Sequence, residues 1–389
     1  MKKYFLAIVL VVISLHILFS IPVTAQEEEY IYSVPKTEYY KAKVIDLVSD
    51  KSNNDPNDPA YSNNIQEVRL IFTNGPEKGT NKNVVFYPKS SDEEQKLKVG
   101  EMVVVTKVID DENIYYAVSD RYRLDRIWWL ALMFVFLVFA ISRYKGFGSL
   151  LGLAFSLLVI AKFIVPQILA GKDPLIICLI GSIAIALVSI YVAHGFRWRT
   201  TLAVISTIIT IAITLLLDYV IIHWLKLFGA GTEEAIYAQF LQTGTINLRG
   251  LLLGGIIIGV LGVLDDITTA QAAVIDELRS ANPAFTFKEL YGRGMSVGKE
   301  HIASLINTLV LAYVGASFPL VLLFQQFEQP ITYIINSELV AEEIARTLIG
   351  SSALILAVPL TTALTAYVLI KYNILTKHDP HAHSHSHHS

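Results

Sequence analysis

Residues 262–279 read GVLDDITTAQAAVIDELR. They follow an apolar run, 251–261, with the composition of lipid-facing sequence, and two adjacent carboxylates, Asp265 and Asp266, stand where that run would continue. Either the span ends before the acids or it carries them inside the bilayer. Length separates the two readings. Residues 250–264 are fifteen, about 22 Å at the helical rise, which is short of the ~30 Å hydrocarbon core. The uncharged stretch 267–275 can supply the remainder. Both acids are therefore expected within the membrane thickness, toward its cytoplasmic half. Carboxylates at that depth are costly and mark ion, proton or substrate paths. Two adjacent ones cannot both stay ionised in a dry site without a cation, a proton or a basic partner.

The rest of the chain agrees with a membrane protein. It has 389 residues, 53% hydrophobic and 17% charged, where a soluble domain carries about 25% charge. The expected fold class is membrane all-α, a seven-helix transmembrane bundle with spans near 127–142, 148–169, 174–193, 200–224, 249–275, 302–325 and 346–370. Arg143 and Lys145, Arg197 and Arg199, the cluster Arg279, Lys288, Arg293 and Lys299, and Lys371 with Lys377 fall at alternate ends. By the positive-inside rule those ends are cytoplasmic. Trp128, Trp129, Trp198 and Trp224 fall at span ends, as interface anchors do. Cys178 is the single cysteine, so the chain makes no internal disulfide and no cysteine metal cluster.

The N-terminus, 1–25, joins Lys2 and Lys3 to an apolar stretch and Val23-Thr24-Ala25, the pattern of a signal peptide or an uncleaved signal anchor. An anchor would make eight helices. Residues 26–123 form a small exported β-rich domain, with strands expected at 39–48, 67–73, 83–87, 102–109 and 114–118. Val68, Leu70 and Phe72 alternate with polar neighbours, the period of a half-buried strand. Five short strands suit a small, OB-like barrel. No basic-aromatic stripe supports a nucleic-acid partner, and the Asp/Asn-rich loop 50–58 lacks EF-hand spacing. The helical domain runs over 124–376, and 377–389 is a His-rich cytoplasmic tail.

Within the spans, Gly255, Gly259, Gly262 and Asp266 share one helical face, which predicts close helix packing along the glycines and Asp266 pointing into protein. Thr207, Thr210, Thr214 and Asp218 share another face. Threonines can satisfy themselves on the carbonyl four residues back, so Asp218 is a secondary candidate. His301, beside Asn307 and Thr308, is a second. Pro319 and Pro359 remove backbone donors and are expected helix breaks. Interrupted helices offer free carbonyls to cations.

The segments GVLDDITTAQAAVIDEL, GRGMSVGKEHIASLINTLVLAYVGASFPLVLL and LILAVPLTTALTAYV, in that order, resemble the YibE/F family of bacterial membrane proteins over about 126–371. The resemblance implies a multi-span protein of the bacterial inner membrane. It supports Asp265, Asp266, Gln271, Asn307, Thr308 and Pro359 as motif positions, and it assigns no substrate. GRGMSVGKE is not a Walker A loop, because Arg293 and Glu300 stand where glycine and Ser/Thr are required.

These readings predict a transporter or permease for a cation or coupled to protons. Asp265 and Asp266 would bind the ion, with Gln271, Asn307, Thr308 and Thr362 as neutral contributors, all in one cavity. A divalent metal is the candidate cofactor, with His381, His383, His385, His387 and His388 of the tail as further metal ligands. The bilayer is one partner, and a second copy or a second membrane subunit is another. The alternatives are a non-transporting scaffold or accessory subunit working through its exported domain, or an intramembrane enzyme. Against the enzyme, the sequence has no HExxH motif and no strong nucleophile constellation.

Overall fold

The computed structural model describes residues 36–53, 63–88, 93–110, 113–241, 246–326 and 330–374. The signal segment, residues 54–58 of the Asp/Asn loop and the His-rich tail lie outside them. The described chain divides into two compact units, 36–137 and 138–374.

The first unit holds five strands: β1 (Lys36–Asn53), β2 (Asn63–Phe72), β3 (Asn81–Phe86), β4 (Met102–Asp110) and β5 (Asn113–Arg121). They close into a barrel in the order β1-β2-β3-β5-β4. β1 is long enough to pair β2 along one end and β4 along the other, with bulges between Val44 and Asp46 and between Leu47 and Ser49. Such bulges let one strand bend between two partners. The alternation at 68, 70 and 72 places Val68, Leu70 and Phe72 in the barrel core beside Ala42, Val44, Val103 and Val105. Gln66 is buried, and its amide clamps Leu97: the side-chain carbonyl accepts from Leu97 N at 2.8 Å and Nε2 donates to Leu97 O at 3.1 Å. Gly75, with φ 77°, turns β2 toward β3 where a Cβ would strike the Tyr40 ring at 2.4 Å.

Glu77, in that same turn, ties three strands together. Its carboxylate pairs with Lys82 of β3 at 2.8 Å and Lys107 of β4 at 3.0 Å, and it accepts from the Tyr116 hydroxyl of β5. Burial alone would raise its pKa. The Lys82, Tyr116 and Lys107 contacts outweigh burial and bring it from 4.5 to about 2.

Helix α1 (Leu124–Arg143) starts in the first unit, and at Arg143 (φ 49°) the chain breaks helical geometry before α2 (Gly146–Leu169). Then come α3 (Pro174–His194), α4 (Trp198–Trp224), the short α5 (Glu233–Leu241), α6 (Leu248–Ala281), α7 (Phe287–Ala316), α8 (Phe318–Gln326), α9 (Ile331–Asn336) and α10 (Glu338–Lys371). Six of these helices are long and apolar enough to cross a membrane, and α7 with α8 makes a seventh if that pair, bent by 64°, is one span. In the second unit α6 is central, packing against α10, α4 and α3, while α10 also packs on α4 and α7. The 34 residues of α6 span about 51 Å at the helical rise, well beyond a ~30 Å core. Helix therefore continues through Asp265 and Asp266 and ends only at Ala281.

Because the folded Glu77 pKa lies below its unfolded value, the stability it contributes is complete above pH 4.5 and is lost as pH falls toward 2. In a barrel fragment spanning 27–123, Glu77→Gln should melt lower at neutral pH and lose less further stability between pH 4.5 and 2 than the parent. Circular dichroism melts across that range test this, and parallel acid profiles would refute it.

Candidate functional site

Asp265 lies midway along α6. Ser189 of α3 donates its hydroxyl to Asp265 Oδ2 at 3.4 Å, and Oδ1 is buried with no hydrogen-bond partner. Gly152 of α2 stands against the same serine: a Cβ there would lie 2.8 Å from Ser189 Oγ. On the other side, Thr268 hydrogen bonds across to Thr207 of α4 at 2.8 Å, and Thr269 donates to the Asp265 carbonyl. Asp265 is therefore half-buried against α3, with the Thr207–Thr268 contact to α4 one turn further along α6. Its neighbour Asp266 turns the other way and is exposed, with His194 at the end of α3 as the charge acting on it. Successive residues sit ~100° apart on a helix, so one polar pair yields one half-buried and one open carboxylate.

A second buried polar centre forms around Gln271. Its Nε2 donates to the backbone carbonyl of Gly294 in α7 at 2.9 Å and to Thr362 Oγ1 in α10 at 2.7 Å. Thr362 in turn donates to Val358 O at 2.7 Å. Three helices are thereby joined by one amide. The approach depends on two glycines of α7. A Cβ on Gly294 would stand 2.1 Å from Ile275 Cδ1, and one on Gly298 2.4 Å from Val358 Cγ1 and 3.2 Å from Gln271 Nε2. The GRGMSVGKE stretch, which fails as a phosphate loop, is thus a small-xxx-small packing motif.

The glycine row expected to pack α6 does not do so. A Cβ on Gly255 or Gly262 would meet nothing within 4 Å, and one on Gly259 only the Tyr313 hydroxyl at 3.3 Å. The packed glycines of this helix are Gly254, one residue and ~100° away, where a Cβ would lie 2.6 Å from Cys178 Sγ and 3.2 Å from the Pro174 carbonyl, and Gly250 one turn earlier, where it would lie 3.5 Å from Pro174 Cδ. Spacing showed which residues share a face but not which face meets α3.

The single cavity expected to join the acids with Asn307, Thr308 and Thr362 is not the arrangement found. Gln271 and Thr362 are brought together, and Asp265 stands apart with Ser189. Asn307, Thr308 and His301 lie on an exposed stretch of α7, where Thr308 bonds its own Ser304 carbonyl at 3.1 Å. α7 is buried against the bundle only near Leu290, Gly294 and Gly298. Pro319 does sit at a break, in the first turn of α8 just after the bend. Pro359 does not: α10 runs unbroken from Glu338 to Lys371. A proline within a helix forfeits one hydrogen bond, and packing by Ala357, Val358 and Thr361 on α10's buried face holds the helix together.

α4 carries a wholly buried polar face: Thr200, Thr207, Thr210, Thr214 and Asp218 are all 2% exposed or less. Thr207, Thr210 and Thr214 each donate to the carbonyl four residues back. Asp218 is 0% exposed and neither carboxyl oxygen has a hydrogen-bond partner. At the far end of α6, Asp276 pairs with Arg199 at 3.9 Å, and Arg279 bonds the Pro283 and Phe285 carbonyls and Asn373. Sequence reasoning treated Arg279 only as a topology marker. It also missed Ser189, whose one signal is a hydroxyl in an apolar span.

A cavity of about 460 Å³ opens under the α7–α8 bend, walled by apolar side chains with Tyr313, Ser317, Glu343 and Thr347. Among the described residues no three His, Cys, Asp or Glu converge to hold a metal. The donor set at Asp265 is one carboxylate and one hydroxyl, which suits a proton or a weakly held cation better than a dedicated divalent site.

A family model described as YibE/F-like protein matches residues 130–371. No curated protein matches the chain, and no solved structure does.

If the Gln271 centre depends on close backbone approach, Gly298→Ala should destabilise the purified protein by about 1–3 kcal/mol. Gly262→Ala, into open space, should be neutral or slightly stabilising. Thermal denaturation followed by size-exclusion chromatography separates the two, and equal midpoints would contradict the packing described.

Proposed function

The chain belongs to the YibE/F-like family, and we propose that this multi-pass membrane protein is a transporter or permease for a proton or a small cation. The observation that carries the reading is Asp265. A carboxylate midway along a spanning helix, held by one hydroxyl and with its other oxygen buried and unpartnered, is an acceptor awaiting a proton or a cation. The donors within reach fit that task. Ser189 orients the carboxyl, and the Thr207–Thr268 pair continues the polar interior toward α4. The Gln271 clasp holds α6, α7 and α10 in register beside it.

In this reading seven helices cross the bacterial cytoplasmic membrane, the α7–α8 pair counting as one. The barrel, OB-like in its strand order, lies outside, and the basic ends and the C-terminus lie in the cytoplasm. Asp266, open and near His194, is the carboxylate through which Asp265 communicates with the cytoplasmic side. The separate barrel, with its own core, favours a second reading, an accessory membrane subunit that works through that domain.

The growth and elemental content of a deletion strain, complemented with variants, distinguish these readings. Asp265→Asn should insert at the parental level yet fail to restore the deletion's ion-content phenotype, and Ser189→Ala should restore it partly. Full complementation by Asp265→Asn, together with failure of a variant lacking 27–123, would replace the transporter reading with the accessory one.

A further inference from the structure

Asp218 and Arg346 have no role in the site described above. Asp218 stands on α4 near the end opposite Arg199 and Arg279, 0% exposed, with both carboxyl oxygens lacking a hydrogen-bond partner. α10 packs along α4, and Arg346 of α10 is the charged group that acts on Asp218, with no ion pair joining the two. The guanidinium is itself incompletely engaged. Its Nε ion-pairs with Glu343 Oε1 on its own helix at 3.5 Å, and that buried nitrogen makes no hydrogen bond. Of the other elements packed on α4, 251–264 of α6 and 174–190 of α3 contain no Asp, Glu, Lys, Arg or His. Arg249 at the start of α6 is bonded to the Leu227 carbonyl, and on α10 the buried Glu342, which accepts from Gly231 N, also lies in the field of Arg346. Tyr313 of α7 lies within the field of Arg346 and Glu343 rather than beside Asp218.

A buried carboxylate without hydrogen bonds, in the field of a guanidinium that is paired elsewhere, is the arrangement of a neutral acid. An ionised Asp218 would draw Arg346 across the α4–α10 interface, because an uncompensated buried charge is far costlier than a moved side chain. We propose that Asp218 is a proton-binding site on α4 and that Arg346 is its switch partner, resting on Glu343 while Asp218 is protonated and crossing to Asp218 when the proton leaves.

The step balances. The O–H bond of the Asp218 carboxylic acid breaks, the proton passes to water, and the electron pair stays on the carboxylate. Arg346 remains protonated throughout. The same movement strips Glu343 of its counter-charge, and Glu343 is the one carboxylate in the wall of the cavity under the α7–α8 bend. Loss of the proton on α4 therefore presents a bare carboxylate to that cavity, and its return neutralises the wall. The proposal deepens the transporter reading and rests on it for biological use, naming the proton as the coupling ion. The protonation itself is independent of any transport assay.

Infrared spectroscopy of the full-length protein in sodium-free liposomes at neutral pH reads the acid directly, through the C=O stretch of a protonated carboxyl. The wild type should show a band that Asp218→Asn removes and Asp218→Glu shifts. Glu343→Gln, which takes away the resting partner of Arg346, should reduce the band by at least half, and adding Arg346→Gln should restore it. No difference between wild type and Asp218→Asn overturns the proton site. A band unaltered in Glu343→Gln, or unrestored in the double variant, overturns Arg346 as the switch. Loss of the band on adding sodium at fixed pH overturns the proton as ligand in favour of a cation. Each of these failures leaves complementation by Asp265 variants to decide the transporter reading separately.

Discussion

One side chain holds three helices of this bundle together. Gln271 of α6 gives its amide protons to the backbone of α7 and the hydroxyl of α10, and the apolar packing around it is arranged to allow this. Gly294 and Gly298 lie in the same turns of α7 because any larger residue would lift that backbone off the amide. Thr362 is oriented by its own bond to Val358. In hydrocarbon no water can replace a lost partner, so such a group is satisfied within the protein or destabilises it. α7 is accordingly fully buried only around this centre, and beyond Gly298 it touches the core with the partly buried Ile302, Leu305 and Leu309 while Asn307 and Thr308 stay exposed.

The same rule sorts the remaining polar groups. Thr207, Thr210 and Thr214 of α4 bond their own helix, Thr207 and Thr268 bond each other, and Arg279 ties the loop after α6 to the end of α10, while the Thr200 and Ser206 hydroxyls stay buried without a partner. Against that background the unsatisfied carboxyls stand out. Asp265 keeps one free oxygen and Asp218 two. Both sit on helices that meet at the centre of the second unit, since α6 and α4 pack together along their length. Asp265 lies midway along α6, on the basic-end side of Asp218, beside Ser189 late in α3. Asp218 lies toward the opposite end. A chain of buried threonine hydroxyls on α4 occupies the interval between their levels.

The barrel obeys different physics, because its surface faces water and its strength lies in a β core with one charged knot. Glu77 can be held ionised there by two lysines and a tyrosine because all of them remain near solvent. Among the described residues no comparable cluster surrounds Asp218 or Asp265.

Much of this was legible in the sequence. Hydropathy and length marked the spans, and a fifteen-residue apolar run, too short to cross on its own, placed Asp265 and Asp266 inside a helix rather than at its end. Period-two alternation at 68, 70 and 72 picked out the barrel interior, and three ordered segments pointed to the family. These are properties of a single element, set by helical rise, strand period and the thickness of hydrocarbon. What only the tertiary structure decided is which face of each helix meets which neighbour. It turned Asp265 toward Ser189 and Asp266 away, passed over the row at Gly255, Gly259 and Gly262 in favour of Gly254, and left Asn307 and Thr308 outside while drawing in Gln271. It also packed α10 on α4, which brings Arg346 within the field of Asp218, residues more than a hundred positions apart. A helix's own periodicity defines its faces but carries no record of its rotation in a bundle. That rotation is set by the summed packing of the helices around it.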